Sequence, residues 1–213
     1  MIGLATAISS RIATPLDTSR QKSIELTGIT EMQDKAKGYT TPARLLHWTV
    51  ALFVLLLIPA GFVMVQQGLP RTLQNTLFLF HKNFGVIVLV LMLLRVAYRF
   101  FVRPPALPDH LPDWQRKIAD ISHRLLYVAL FVMPISGYIR VRAGGFPIEG
   151  LDALGIGTLL PRSEMIANVA KTIHYLTAFA IVVLLMMHIG AALQHALLRR
   201  DGVFERMWPP TRR

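Results

Sequence analysis

The sequence predicts an all-α membrane protein, a bundle of four transmembrane helices. Of its 213 residues, 53% are hydrophobic and only 16% are charged, whereas an ordinary soluble domain carries about 25% charged residues. The apolar residues are concentrated in four blocks, 44–65, 77–102, 119–141 and 169–199. Each block is long enough for a helix to cross a hydrocarbon core about 30 Å thick.

The segments outside the four blocks divide the chain. Residues 1–38 are polar and mixed without a sustained apolar period, so we expect a poorly ordered N-terminal tail. The membrane domain is predicted at 39–209, followed by a basic end at 210–213. The linker 103–118 is rich in proline and is not expected to be one helix. The loop 142–168 is the longest and is rich in glycine and proline, and we expect it to pack over one end of the bundle.

Lysine and arginine predict the orientation of the bundle. The net charge is +11, but no nucleic-acid motif accompanies it, and the basic residues flank the apolar blocks as lipid head groups favour. Fifteen of these residues lie in the N-terminal segment, the linker and the C-terminal segment, and six lie on the other side. Short cytoplasmic loops carry the basic excess, so both termini are predicted to be cytoplasmic.

Two absences narrow the function. The chain has no cysteine, which excludes disulfides, iron–sulfur clusters and haem attached covalently through cysteine. Three long stretches also contain no aspartate or glutamate, namely 45–108, 121–148 and 172–200. Proton-coupled transporters and divalent-cation carriers usually need a carboxylate inside the membrane. The sequence therefore disfavours both classes.

The fourth block holds the main functional signal, the three histidines His174, His188 and His195. His174 and His188 are fourteen residues apart, which places them only about 40° apart around a helix and about 21 Å apart along it. His195 follows seven residues later, about 20° off the same face. One helix can thus offer an imidazole at each of two depths.

The predicted orientation gives both histidines a partner at matching depth. His81 pairs with His174 at the outer level, and His47 pairs with His188 at the cytoplasmic level. Two neutral imidazoles on opposite sides of one iron form a six-coordinate b-type haem, which suits electron transfer. The alternative is that each histidine hydrogen-bonds a neighbouring helix.

Other polar residues near the cytoplasmic level have two readings each. Arg95, Arg99 and Arg124 either bind haem propionates or extend to the lipid head groups. His195 either extends to the surface or serves a quinone or a proton transfer. We expect an interfacial position for His123 and a solvated one for His110.

An ordered set of motifs resembles the bacterial cytochrome b561 family of four-span, di-haem membrane cytochromes. The resemblance runs from about Tyr39 to Pro209. It rests on RLLHW (44–48), FHKNFG (80–85), LLRVAYR (93–99), SHRLLYVALFVMPISGY (122–138), IHY (173–175), MHIGAALQH (187–195) and RRDGVFERM (199–207).

The resemblance implies a bacterial inner (plasma) membrane protein with two haems b. His47 and His188 would bind one haem, and His81 and His174 the other. Some members of the family are superoxide oxidases, which pass electrons from superoxide outside to ubiquinone, and there the histidine matching His195 is associated with the quinone. Others have no settled donor or serve a partner protein.

The predicted function is transfer of electrons across the inner membrane to or from the quinone pool, with superoxide or another outer donor. A basic outer rim formed by Arg140, Arg142, Arg162 and Lys171 would steer a small anion such as superoxide. Two alternatives stay open: a haem-containing anchor that relays electrons for a partner enzyme or soluble carrier, and a haem-free carrier or structural protein.

Overall fold

The structure is a computed structural model, and it describes Lys22, residues 38–107 and residues 111–209. The chain divides into two units, Met1–Lys37 and Gly38–Arg213, of which the second holds all the elements below. The predicted tail, His110 and the basic end at 210–213 lie outside the described residues, apart from Lys22 and Gly38.

Four long helices form the described part of the second unit, which confirms the predicted fold class. They are α1 (Thr41–Val63), α2 (Arg71–Phe101), α3 (Asp113–Ala143) and, after the five-residue α4 (Glu149–Ala153), α5 (Glu164–Leu193). A π-helical turn, Gln194–Arg199, continues α5, and a 3₁₀ turn, Phe204–Arg206, follows. Within the described residues, these four helices are long and apolar enough to cross a membrane.

The helices begin earlier than hydropathy predicts because their first turns are polar. Helix α3 starts at Asp113 behind Pro112, not at residue 119, and its first turn carries an acidic residue, which favours a helix N-terminus. Helix α5 begins after Ser163, whose hydroxyl accepts a hydrogen bond from the Ile166 N–H at 3.4 Å. These polar turns extend the helices beyond the apolar blocks.

An apolar layer occupies the middle of the bundle. Helix α3 packs most extensively on α5, α1 packs on α2, and α2 packs on α3. Every long helix contributes to the buried layer, which consists of Val50, Val54, Leu57, Val88, Met92, Ala129 and Ile181. Many other apolar side chains on the helices are exposed, as expected where lipid is the solvent.

The segment between α3 and α5 is fastened to α2, and we call this side of the bundle the loop end. Lys82 Nζ donates to Glu149 Oε1 at 2.6 Å and to the Pro147 carbonyl at 2.8 Å. Asn83 donates to Glu149 Oε2 at 3.1 Å and accepts from the Gly150 N–H at 2.7 Å. The segment therefore packs on one end of the bundle, as predicted.

The opposite side, which we call the terminal end, is covered by the residues after α5. Arg44, with 0% of its surface exposed, donates to the Pro209 carbonyl at 2.9 Å. The Trp48 indole N–H donates to the Met207 carbonyl at 3.0 Å. These bonds hold residues 207–209 against the start of α1.

Candidate functional site

Two histidine rings face each other at the loop end. His81 on α2 and His174 on α5 have ring centroids 6.1 Å apart and planes inclined by 75°. Nδ1 of His174 lies 2.9 Å from the Met133 carbonyl and 3.3 Å from Ser136 Oγ. A carbonyl can only accept, so Nδ1 carries the hydrogen and Nε2 keeps its lone pair for a ligand.

Two glycines make room for these rings. A Cβ at Gly61 on α1 would lie 2.9 Å from Cε1 of His81, and a Cβ at Gly137 on α3 would lie 3.1 Å from Cε1 of His174. Carbon atoms in contact prefer about 3.5–4.0 Å. Any larger residue would therefore push the rings from their positions, so both glycines belong to the site.

A second pair of rings lies at the terminal end. The ring centroids of His47 on α1 and His188 on α5 are 6.2 Å apart, with planes inclined by 72°. A third ring, His123 on α3, lies 5.4 Å from His188. The expected interfacial position of His123 is wrong, because α3 starts at Asp113 and carries this residue almost three turns into the helix.

The separation within each pair suits one shared metal ion. A metal–imidazole bond is about 2 Å long, and the ring centroid lies about 1.1 Å beyond the nitrogen. Two imidazoles on opposite sides of a metal would thus have centroids about 6 Å apart. Both pairs meet this distance, and His123 lies too close to His188 for the same arrangement. If that metal were a six-coordinate iron, two imidazoles would leave room for a porphyrin.

The three arginines predicted near the terminal-end pair differ in their exposure and in their partners. Arg95 donates from Nε to the Tyr127 hydroxyl at 2.9 Å, while its Nη1 is buried without a hydrogen-bond partner in the described residues. Arg99 is exposed and lies over the Tyr127 ring at 5.6 Å. Arg124 points away from the pair, because its side chain is 77% exposed and binds Asp120 at 2.6 Å.

The predicted outer rim is wrong for one of its four residues. Arg142 is only 7% exposed and binds Asp152 Oδ1 at 2.6 Å, because the segment after α3 folds back over it. The hydrogen bond from Arg142 holds the pKa of Asp152 below its ordinary value. Arg162 and Lys171 are exposed.

Of the four residues of the predicted rim, Arg140 is the one best placed to take part in the site. It is half-buried, and its carbonyl accepts a hydrogen bond from the Gly144 N–H at 3.1 Å. It follows Gly137 by three residues on α3, so it lies about one turn from the glycine that packs against His174. Each pair of rings therefore has one nearby arginine, Arg95 at the terminal end and Arg140 at the loop end.

The last predicted site residue, His195, lies in the π-helical turn after α5. Nδ1 of His195 is 2.7 Å from Oδ2 of Asp201, a residue that the sequence analysis passed over. The ring lies seven residues beyond His188, about 10 Å along the helix, and does not join the pair.

Known proteins have sequences similar to this one. A family model described as prokaryotic cytochrome b561 matches residues 38–210. The Escherichia coli (strain K12) protein "Cytochrome b561 homolog 2" is 30% identical over 162 residues, which cover 76% of this chain and 86% of that protein. "Cytochrome b561 homolog 1" of the same organism is 30% identical over 169 residues, covering 77% of this chain and 93% of that protein. The chain therefore belongs to the prokaryotic cytochrome b561 family, and it is a multi-pass membrane haem protein suited to electron transfer.

Proposed function

We propose that the chain binds two haems b and passes electrons between an outer donor and the quinone pool. The observation that supports it is the pair of ring separations, 6.1 Å and 6.2 Å, at two levels of one bundle. Held by two histidines, a b-type haem would supply one-electron uptake and release, which is the chemistry of electron transfer.

At the loop end, His81 and His174 would hold the first haem. Met133 fixes the tautomer of His174, so that Nε2 is the ligand atom. Nδ1 of His81 is buried without a hydrogen-bond partner in the described residues. Arg140 would bind a propionate, because it is a half-buried cation about one turn from Gly137, toward the loop end.

At the terminal end, His47 and His188 would hold the second haem. The buried and unpartnered Nη1 of Arg95 is costly unless an anion meets it, and a propionate is such an anion. His123 would then pack beside the porphyrin next to His188. Arg99 and Arg124 stay as predictions for propionates, with less support because both are exposed.

We infer that the terminal end faces the cytoplasm and the loop end faces outward, in the inner membrane. The excess of basic residues at the terminal end supports this orientation. Superoxide is the outer donor that the exposed cations favour, since Arg162, Lys171 and the half-buried Arg140 all lie on the loop side of the bundle. Ubiquinone at the cytoplasmic side, near His195, is the acceptor.

An absorption spectrum tests the haem sites. We expect two haems b per purified chain, with a strong α band in the reduced-minus-oxidised difference. His174→Ala and His188→Ala should each retain one haem, because each removes a ligand from a different pair. A single haem in the wild type, or loss of both haems in each variant at wild-type protein yield, would contradict the two-site arrangement.

Pulsed superoxide under anaerobic conditions tests the donor. The rate of haem reduction should fall steeply with salt, because exposed charges are screened beyond about 10 Å at 0.1 M salt. Replacing both Arg162 and Lys171 by alanine should slow reduction several-fold. Lys117→Ala, which removes an exposed cation at the terminal end, is the control. A rate indifferent to salt and to the double substitution would sink the steering role.

The second candidate is a haem-containing anchor that relays electrons for a partner enzyme or soluble carrier. Lys82 and Asn83 hold the segment between α3 and α5 in place. A fixed surface suits docking of a partner, so these contacts favour the second candidate. Such a protein would carry both haems and react slowly with superoxide and quinone alone. Fast quinone-dependent haem oxidation in the isolated protein excludes it.

A further inference from the structure

A histidine and an aspartate are bonded to each other at the terminal end, beyond the paired rings. Nδ1 of His195 lies 2.7 Å from Oδ2 of Asp201, and the two side chains are only 14% and 15% exposed. Oδ1 of Asp201 accepts a hydrogen bond from the Val203 N–H at 3.3 Å. An ionised carboxylate only accepts, so His195 carries a hydrogen on Nδ1. Its Nε2 forms no hydrogen bond within residues 38–107 and 111–209.

The backbone around this couple has an uncommon conformation. The Arg200 N–H donates to the His195 carbonyl at 2.8 Å, which closes a π-helical turn, a feature frequent at functional sites. Arg200 is left-handed, with φ 50° and ψ 43°, although it is not glycine, and Gly202 has φ 80°. A non-glycine residue is held in this region only where the surrounding structure requires it. This left-handed turn brings the Asp201 side chain back to the His195 ring.

Two arginines on either side of Asp201 in the sequence are bonded to other groups. Arg199 Nη1 donates to Gln115 Oε1 at 2.8 Å, and Arg206 Nη2 donates to the Ala106 carbonyl at 2.7 Å. Neither bond involves the His195 ring. Asp201 is thus the charged group that holds this imidazole.

We propose that Asp201 is a positioning residue that holds His195 as the proton donor to the quinone. The inference rests on the proposed function and adds the group that supplies protons. Reduction of a quinone to a quinol takes two electrons, which the outer donor would supply, and two protons. For each proton, the Nε2–H bond of His195 breaks and an O–H bond forms on the quinone; a water at the cytoplasmic side then returns a proton to Nε2 and is left as hydroxide. The carboxylate of Asp201 carries the countercharge whenever both ring nitrogens are protonated.

Two oxidants separate proton delivery from electron transfer. The purified protein, with both haems reduced under anaerobic conditions, is mixed either with a short-chain ubiquinone or with ferricyanide, which takes an electron and no proton. Haem oxidation is followed in wild type, Asp201→Asn, Asp201→Glu, His195→Gln and the double variant Asp201→Asn with His195→Gln. Asp113→Asn is the matched control, because Asp113 is an exposed acid of the same end that binds Arg116.

Oxidation by quinone should slow at least about 10-fold in Asp201→Asn and in His195→Gln, since a positioned proton donor typically contributes about 10²–10⁴-fold. The double variant should be no slower than His195→Gln, because Asp201 acts through that ring. Asp201→Glu keeps the charge and should stay within several-fold of wild type. Ferricyanide rates should be unchanged throughout.

Three results would overturn the inference. The first is a wild-type rate of oxidation by quinone in Asp201→Asn. The second is a ferricyanide rate that falls in parallel with the quinone rate, which would indicate a structural role. The third is additive losses in the double variant. If Asp201→Asn does not assemble with haem, a wild-type quinone rate in His195→Gln overturns it as well. A wild type inert toward quinone but oxidised by ferricyanide refutes the proposed quinone reaction, and the inference with it. An active wild type with an equally active Asp201→Asn refutes the inference alone.

Discussion

Replacing Gly61 by alanine should remove the haem at the loop end and leave the other haem in place. The new Cβ would lie 2.9 Å from Cε1 and 3.4 Å from Nδ1 of the His81 ring. Carbon atoms in contact prefer about 3.5–4.0 Å, so the ring must move by about 0.6–1.1 Å. A metal–ligand distance tolerates only about 0.2 Å. The displaced ring would therefore no longer reach an iron shared with His174.

The helix itself should not suffer from this change. Alanine is favoured over glycine inside a helix by about 1 kcal/mol, and the His81 ring can swing aside, so folding and yield should be retained. The effect is thus expected in cofactor content: one haem per chain in place of two, with half the α band in the difference spectrum. Gly137→Ala, whose Cβ would lie 3.1 Å from Cε1 of His174, should act in the same direction.

Gly190→Ala is the matched control, because this glycine also lies inside a long helix and its Cβ would meet nothing within 4 Å. It should keep both haems. Two haems with unchanged midpoint potentials in Gly61→Ala would show that the ring contact does not position the ligand, and the geometric reasoning would fail. Equal losses in Gly61→Ala and Gly190→Ala would point to the helices and not to the rings.

Three further changes test other contacts. Arg95→Gln should lower the midpoint potential of one haem in a redox titration, since a nearby cation disfavours the oxidised iron; the exposed Arg124→Gln should leave both potentials unchanged, and equal shifts would contradict the placement. Burial raises the pKa of Glu149, but hydrogen bonds from Lys82 and its neighbour outweigh this effect and hold it below its ordinary value. The ion pair therefore stabilises the loop end fully above about pH 4.3 and is lost as pH falls through the lowered pKa. The protection of amides in 144–163 against hydrogen exchange, relative to their intrinsic rates, should fall in acid, and Glu149→Gln should remove that pH dependence. Trp48→Phe deletes the indole hydrogen bond to the tail and should cost about 1 kcal/mol, visible as a lower thermal midpoint; an unchanged midpoint would show that the bond adds no net stability.

The paired histidines could be predicted because depth along a helix follows directly from residue number. The fourteen residues between His174 and His188 set two levels, and the charge bias assigned His81 and His47 to them. The same spacing recurs on the other long helices, between His47 and Gly61, His81 and Arg95, and His123 and Gly137. This repetition is visible in the sequence. A glycine has no functional group that would mark it as a site residue, however, so the contact of Gly61 and Gly137 with the rings is seen only in the packing of the helices.

Other features depended on contacts between segments distant in sequence. The position of His123 was misjudged because the polar turn from Asp113 resembles a loop in hydropathy although it is helical. The burial of Arg142 depended on where the segment after α3 would return Asp152. Asp201 drew no attention because it stands outside the apolar blocks, and only the left-handed turn at Arg200 brings it to His195.

The apolar layer between the two levels has an electrical consequence. Its residues are uncharged, and every long helix runs through it without an aspartate, glutamate, lysine or arginine. An electron that passes from one level to the other covers about 21 Å of a core about 30 Å thick, with no compensating charge alongside it. Moving one charge across the whole membrane is worth about 2.3 kcal/mol per 100 mV, so this passage is worth roughly 1.6 kcal/mol per 100 mV. Electron transfer between two haems held at these levels would thus be electrogenic, and in sealed vesicles a membrane voltage of about 100 mV should shift the balance between them by about tenfold.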